Sequence, residues 1–173
     1  SGSYMLYARH KAAPGPEAYE GLTLDTPNIS GRMDNLRAAI LRPQLPLLSG
    51  RVLRWRALYD GLAAGLADVA GLRLIDRPGH EDFVGSSFQF LLPGWDGPRV
   101  AGFVARCAAR GVELKWFGAD APMGFTSRYA HWRYAAPDPL PQTDRILAGL
   151  IDLRLPLTFT AADVAVIARI IAE

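Results

Sequence analysis

Residues whose chemistry could serve a ligand gather at two places in this 173-residue chain. The first is Ser30-Gly31-Arg32, at the entrance to a helical pattern. A hydroxyl, an unhindered backbone and a guanidinium together suit an anion, because helix-entrance amides and arginine both donate to negative oxygens. The second place runs from Trp116 to Tyr134 and holds Trp116, Phe117, Phe125, Arg128, Tyr129, His131, Trp132, Arg133 and Tyr134. Rings interleaved with arginines can stack on a planar ligand and bind its phosphate or carboxylate. Trp116 and Arg128 are the candidates for such substrate contacts. The same residues also suit a loop that packs its aromatics on a sheet and solvates its arginines. Nucleic-acid binding uses similar stacking and charge, but the stretch is short and the formal net charge is only +2.

Other chemistries lack their residues. His10, His80 and His131 are widely spaced, and none forms a ligand pair, so no metal site is expected. His80-Glu81-Asp82 reads as a solvated turn. No nucleophile elbow, phosphate loop or dinucleotide fingerprint is present. Cys107 is the one cysteine, which rules out an intramolecular disulfide, and its spacing places it on the apolar face of a helix. Of 19 basic residues only Lys11 and Lys115 are lysine, and the arginines are interleaved with acids, so no general polyanion-binding face is expected. No apolar run reaches the roughly 20 residues that span a bilayer. A reducing cytoplasm is the default compartment.

The elements that must position these residues alternate between helix and strand. Leu36, Ala39, Ile40 and Leu47 recur at helical spacing, predicting one buried face over 33–42, broken near Pro43 and Pro46. A second helix is predicted over 49–67, with Val52, Trp55, Leu58, Tyr59, Leu62 and Leu66 on one face and Gly71 ending it. Strands are expected over 72–75 and 86–92, the latter with Phe88, Phe90 and Leu92 on one side. A helix over 98–110 carries Val100, Phe103, Val104, Cys107 and Ala108 inward, and a strand follows over 112–117. After an irregular, aromatic-rich stretch over 118–140 come a helix over 142–150, an extended segment over 152–157 and a last helix capped by Thr160 with Asp163. The fold class is therefore α/β of an α+β-like kind. A small mixed, largely antiparallel sheet has helices packed on one face, preceded by a long broken helix. Residues 1–31 are rich in breakers and read as a connecting segment; residues 32–173 form the domain.

The run from Ser30 to Leu45 also resembles a family signature, Asn-x-Arg-Met-x-Glu-Leu-x-Ala-Ala followed by Gln-Leu. It is the signature of the DegT/StrS-type aminotransferases, enzymes of the aspartate-aminotransferase fold type. Arg32, Met33, Leu36, Ala38, Ala39, Gln44 and Leu45 fit it at its spacing. The later order is similar too: the strand at Phe88 to Leu92, the helix from Pro98, Gly111-Val112, Leu155-Pro156 and the terminal helix from Thr160. The resemblance covers about residue 30 to the end.

It implies the C-terminal small domain of a pyridoxal-phosphate enzyme, a homodimer that moves an amino group from an amino-acid donor to a keto-sugar or similar small-molecule carbonyl substrate. Two alternatives stand beside it: a non-catalytic binding or regulatory domain that keeps this fold, and a dehydratase relative with a histidine in place of the upstream lysine. The family lysine that binds the cofactor lies in a larger N-terminal domain, in a Ser-x-x-x-Lys setting that neither Lys11 nor Lys115 matches. The chain alone is therefore expected to be inactive. The family asparagine that reaches the cofactor phosphate of the neighbouring subunit aligns with Ser30, and Asn28 could substitute for it. Ser30, Arg32 and Asn28 are thus the implied cofactor contacts. The family glutamate is replaced by Asn35.

Overall fold

A computed structural model describes residues 22–25, 31, 33–123 and 128–173 of the chain. The single turn α1 (Leu22–Asp25) precedes α2 (Asn35–Leu41). The chain then tightens into a 3-10 stretch, Arg42–Leu47, and reopens as α3 (Leu48–Leu66). Pro43 and Pro46 explain the passage: each lacks an amide donor and crowds the turn before it. The break expected from the prolines is thus a change of helix type, and the helical path continues through it.

Four strands form one antiparallel sheet: β1 (Arg73–Leu74), β2 (Ser87–Leu91), β3 (Lys115–Trp116) and β4 (Leu150–Arg154), in the order β1-β2-β4-β3. β2 and β4 are its centre, paired from Ser87 with Arg154 to Leu91 with Leu150. Between the strands lie α4 (Gly97–Ala109), a 3-10 turn at Tyr129–His131 and α5 (Pro141–Gly149); α6 (Ala161–Ala172) closes the chain.

The core lies on one face of the sheet. Side chains alternate along a strand, so Phe88, Phe90 and Leu92 share a face with Ile151, Leu153 and Leu155, and all six are buried. Against them pack Leu58, Tyr59, Leu62 and Leu66 of α3, Val100, Phe103 and Cys107 of α4, and Val164, Ile167, Ala168 and Ile171 of α6. Phe90 meets Phe103 edge-on at 6.4 Å, and Trp95 meets the same ring at 5.7 Å. Ala108, expected inward, is exposed. The opposite face carries Ser87, Gln89 and Asp152, where Asp152 is only 5% exposed and accepts a hydrogen bond from the Ser87 hydroxyl. A buried carboxylate needs such donors, since losing water without replacement costs several kcal/mol, on the order of 2–7 for a neutral polar group alone.

Local signals account for the helix ends. Asp96 caps α4 by accepting from the Arg99 amide at 2.9 Å. Thr160 and Asp163 form a reciprocal capping box at α6, as their spacing predicts. Gly111 takes a φ of +84° after α4, where a side chain would be strained. Gly71 has φ +82° but closes a separate turn beyond α3, which has already ended at Leu66.

One expectation fails. Leu36, Ala39, Ile40 and Leu47 do lie at helical spacing, but none is buried: Leu36 is 71% exposed and Ile40 55%. Periodicity shows which face is apolar; it does not supply an element to cover it.

Candidate functional site

The structure describes the helix entrance only at Gly31 and from Met33 onward. Ser30, Arg32 and Asn28 lie outside the described residues, so their positions are not part of the site geometry. The cap of α2 is Asp34, whose carboxylate accepts from the Arg37 amide at 2.7 Å and pairs with the Arg37 guanidinium at 2.7 Å. This first-turn donor is therefore spent on the chain's own carboxylate. The Asp34-x-x-Arg37 spacing was the available signal, and it belongs to helix capping.

The aromatic segment begins at β3. Trp116 pairs with Ile151 in the sheet, and its indole N–H donates to the Ala148 carbonyl at 2.9 Å. The ring is half-buried and packs against the core. Just beyond it the chain passes so close to α5 that a Cβ on Gly118 would lie 2.6 Å from the Trp116 nitrogen and 2.7 Å from the Leu147 carbonyl oxygen. Only glycine fits there.

Downstream, Asp120, Arg128 and His131 form one cluster. Arg128 pairs with Asp120 at 3.1 Å. The His131 Nε2 lies 2.9 Å from the Asp120 carbonyl oxygen, and its Nδ1 accepts the Arg128 amide at 3.2 Å. A ring nitrogen that accepts carries no proton, so this geometry calls for the neutral Nε2–H tautomer. Arg128 is partly buried while its partner Asp120 is fully exposed, and among the described residues the Arg128 Nε is buried without a hydrogen-bond partner. An unmatched donor of this kind is a place where an oxygen ligand would lower the energy. Asp120 and the His131 ring atoms were not picked out as its partners from sequence, because an ion pair eight residues apart inside an irregular stretch leaves no periodic signal.

The rest of the segment is tied to its surroundings. The Tyr129 hydroxyl donates to Asp144 at 2.8 Å and accepts the Leu140 amide at 3.1 Å. Trp132 and Tyr134 stack at 5.7 Å and 15°. Arg133 reaches back to Asp25 and to the Leu24 carbonyl. Trp116 and Arg128 are therefore held by different elements, Trp116 by α5 and Arg128 by the loop itself. Among the described residues no group of His, Cys, Asp and Glu could hold a metal ion, and no helix is long and apolar enough to cross a membrane. His80 is exposed; its neighbours Glu81 and Asp82 pair with Arg77 and Arg56.

Known proteins resemble this chain over most of its length. The model of a family described as the DegT/DnrJ/EryC1/StrS aminotransferase family matches residues 9–172. No curated protein sequence gives a significant match. An aminotransferase, TlmJ, from Streptoalloteichus hindustanus is similar in structure, with a TM-score of 0.66 and 20% identity, over 79% of this chain and 35% of that one. For 3-amino-5-hydroxybenzoic acid synthase the TM-score is 0.65 at 21% identity, over 90% of this chain and 45% of that one. DesI, solved in the presence of its TDP-sugar product, gives 0.63 at 19% identity, over 81% and 35%. At these identities the likeness speaks to the fold. The chain spans 35 to 45% of the length of these three structures.

Proposed function

The chain belongs to the DegT/DnrJ/EryC1/StrS aminotransferase family, and from that membership we propose that it works as the C-terminal small domain of a pyridoxal-phosphate-dependent aminotransferase. Residues 32–173 form the domain, and residues 1–31 connect it to a cofactor-bearing domain. The observation that carries this reading is the uncovered apolar side of α2 and the 3-10 stretch. Met33, Leu36, Ile40, Leu41 and Leu45 are all exposed along this stretch. Contiguous apolar surface of this kind marks an interaction face, and the proposed occupant is the larger domain of the same enzyme, with a neighbouring subunit completing a homodimer.

The described residues do not fit the cofactor by themselves. Lys115 is the only lysine among them, and it sits exposed on the edge strand β3, in register with Asp152. When bound, pyridoxal phosphate supplies the electron sink for amine exchange. This chain's own part is binding and orientation. Arg128 offers its guanidinium to an anionic group of the substrate, with Asp120 as the exposed counter-ion that such a group would displace. Trp116 forms a wall held in one orientation by Ala148. Ser30, Arg32 and Asn28 are proposed to contact the cofactor phosphate across the dimer. The substrate class proposed is a keto-sugar or similar carbonyl compound, with an amino acid as donor, in the cytoplasm.

The test is the chain alone with added pyridoxal phosphate. It should give no absorbance band near about 420 nm and no borohydride-trapped adduct at a single lysine, because the cofactor needs a shielded lysine. A stoichiometric yellow complex trapped on Lys11 or Lys115 would overturn the assignment.

A further inference from the structure

Where α3 begins, a groove of about 570 Å³ opens between the helix and the segment that follows β4, lined by Leu47, Gly50, Arg51, Arg54, Leu157 and Thr158. Two arginines line it. Six other arginines, at 37, 56, 77, 110, 128 and 133, pair with carboxylates. Among the described residues nine arginines enter no such pair; Arg51 and Arg54 are two of these, and each spends one N–H on a neutral oxygen.

Those bonds hold the guanidinium groups in place. Arg51 donates to the Gln44 side-chain oxygen at 3.0 Å, while the Gln44 amide donates to the Ile40 carbonyl at 3.0 Å. The 3-10 stretch therefore anchors Arg51 through Gln44. Arg54 donates to the Phe159 carbonyl at 3.4 Å, just beyond the lining residues Leu157 and Thr158. A guanidinium has five N–H donors, so most of the donors on both residues stay free. Leu47 and Leu157 supply an apolar floor between them.

We propose that this groove binds a small organic anion, with its acidic head between Arg51 and Arg54 and its apolar body on Leu47 and Leu157. Held, unpaired arginines favour a planar or tetrahedral oxyanion through forked contacts, which a lysine pair would not provide. The apolar floor favours an anion that carries a ring or short chain over a bare ion.

Phenyl phosphate and benzoate are the probes, titrated separately into the full 173-residue chain while backbone amide resonances of Gly50, Arg54 and Thr158 are followed by NMR. Saturable shifts at these amides are expected with at least one probe, and the arm that saturates identifies a phosphate or a carboxylate head. Arg51→Gln with Arg54→Gln should weaken binding about tenfold or more, from loss of two charge-assisted contacts. The Arg51→Lys, Arg54→Lys chain should keep its fold and bind at intermediate strength. Phenol should not bind, and inorganic phosphate should bind more weakly than phenyl phosphate. Absence of saturation with both probes, affinity unchanged in the glutamine variant, or inorganic phosphate binding as tightly as phenyl phosphate would each overturn the proposal.

Discussion

A Cβ placed on Gly65 would lie 2.7 Å from the Cβ of Ala168. Helices α3 and α6 therefore approach so closely at this point that a methyl group has no room. One turn earlier the fit is looser: a Cβ on Gly61 would lie 3.5 Å from a Val164 methyl, an ordinary contact. The two glycines occupy the same helix face and the same interface, yet they make opposite predictions.

Gly65→Ala should destabilise the chain. Gly65 lies in the last turn of α3, so replacing it gains at most roughly 1 kcal/mol of helix propensity, while overpacking costs about 1–3 kcal/mol, and a net loss of about 1 kcal/mol is expected. Gly61→Ala keeps the propensity gain and should stabilise by about 0.5–1 kcal/mol. Urea midpoints of the two variants should move in opposite directions. Adding Ala168→Gly to Gly65→Ala should recover stability beyond the sum of the single changes; strict additivity would mean that the two residues do not touch.

The single thiol should be inert. Cys107 is 2% exposed, and burial pushes its pKa up, against the opposing pull of Arg106 and Arg110. Thiolate is the reactive form, so a disulfide-exchange reagent at neutral pH should label the native chain at least about 100-fold more slowly than the urea-unfolded chain. Equal rates would show that α4 does not seal this position.

Acid should loosen α6 from its first turn. The Thr160 backbone amide, with the Thr160 hydroxyl, holds the Asp163 carboxylate below its usual pKa. A depressed carboxylate stabilises the fold above the unfolded-state value and loses that effect as pH falls through the folded one. Wild type should therefore exceed Asp163→Asn in urea midpoint at pH 7, and the gap should close below about pH 4. A gap that persists unchanged at pH 2.5 would assign the difference to something other than the charge.

The apolar face of α2 should be tolerant in the isolated chain. Leu36 and Ile40 contribute no buried side chain there, so Leu36→Gln with Ile40→Gln should leave the melting temperature within about 2 °C, in line with surface changes of about 0.5 kcal/mol or less. The same pair should reduce self-association in sedimentation. In the enzyme that contains the larger domain, the pair should weaken domain packing and activity together.

Much of the architecture is written in local signals. The α4 pattern, the Phe88-Phe90-Leu92 alternation and the Thr160–Asp163 box all appear where spacing places them, because each depends on neighbours within a few residues. Longer-range facts are less legible. The strand expected over 112–117 pairs only at Lys115–Trp116, because the Val112 amide turns back to the Cys107 carbonyl and finishes α4 instead. The extended segment expected over 152–157 begins two residues earlier, since the ladder to β2 runs from Leu150. At the candidate site, Trp116 and Arg128 could be chosen by type, but their partners Ala148 and Asp120 could not. A carbonyl acceptor has no sequence signature, and Asp120 is one of many acidic residues.

The strand order β1-β2-β4-β3 has a consequence for how this chain comes off the ribosome. The central partner of β2 lies more than sixty residues downstream, with Ser87 paired to Arg154. Until residue 154 is made, nascent β2 can pair only with the two residues of β1, and Phe88 and Phe90 have no Ile151 or Leu153 beside them. Closing so large a loop must precede most of the core's gain. The nascent chain therefore carries Phe88 and Phe90 without their β4 neighbours through the synthesis of α4, β3 and α5, with only α3 and then α4 to pack on them, and quality-control factors that read exposed rings have that interval in which to engage it.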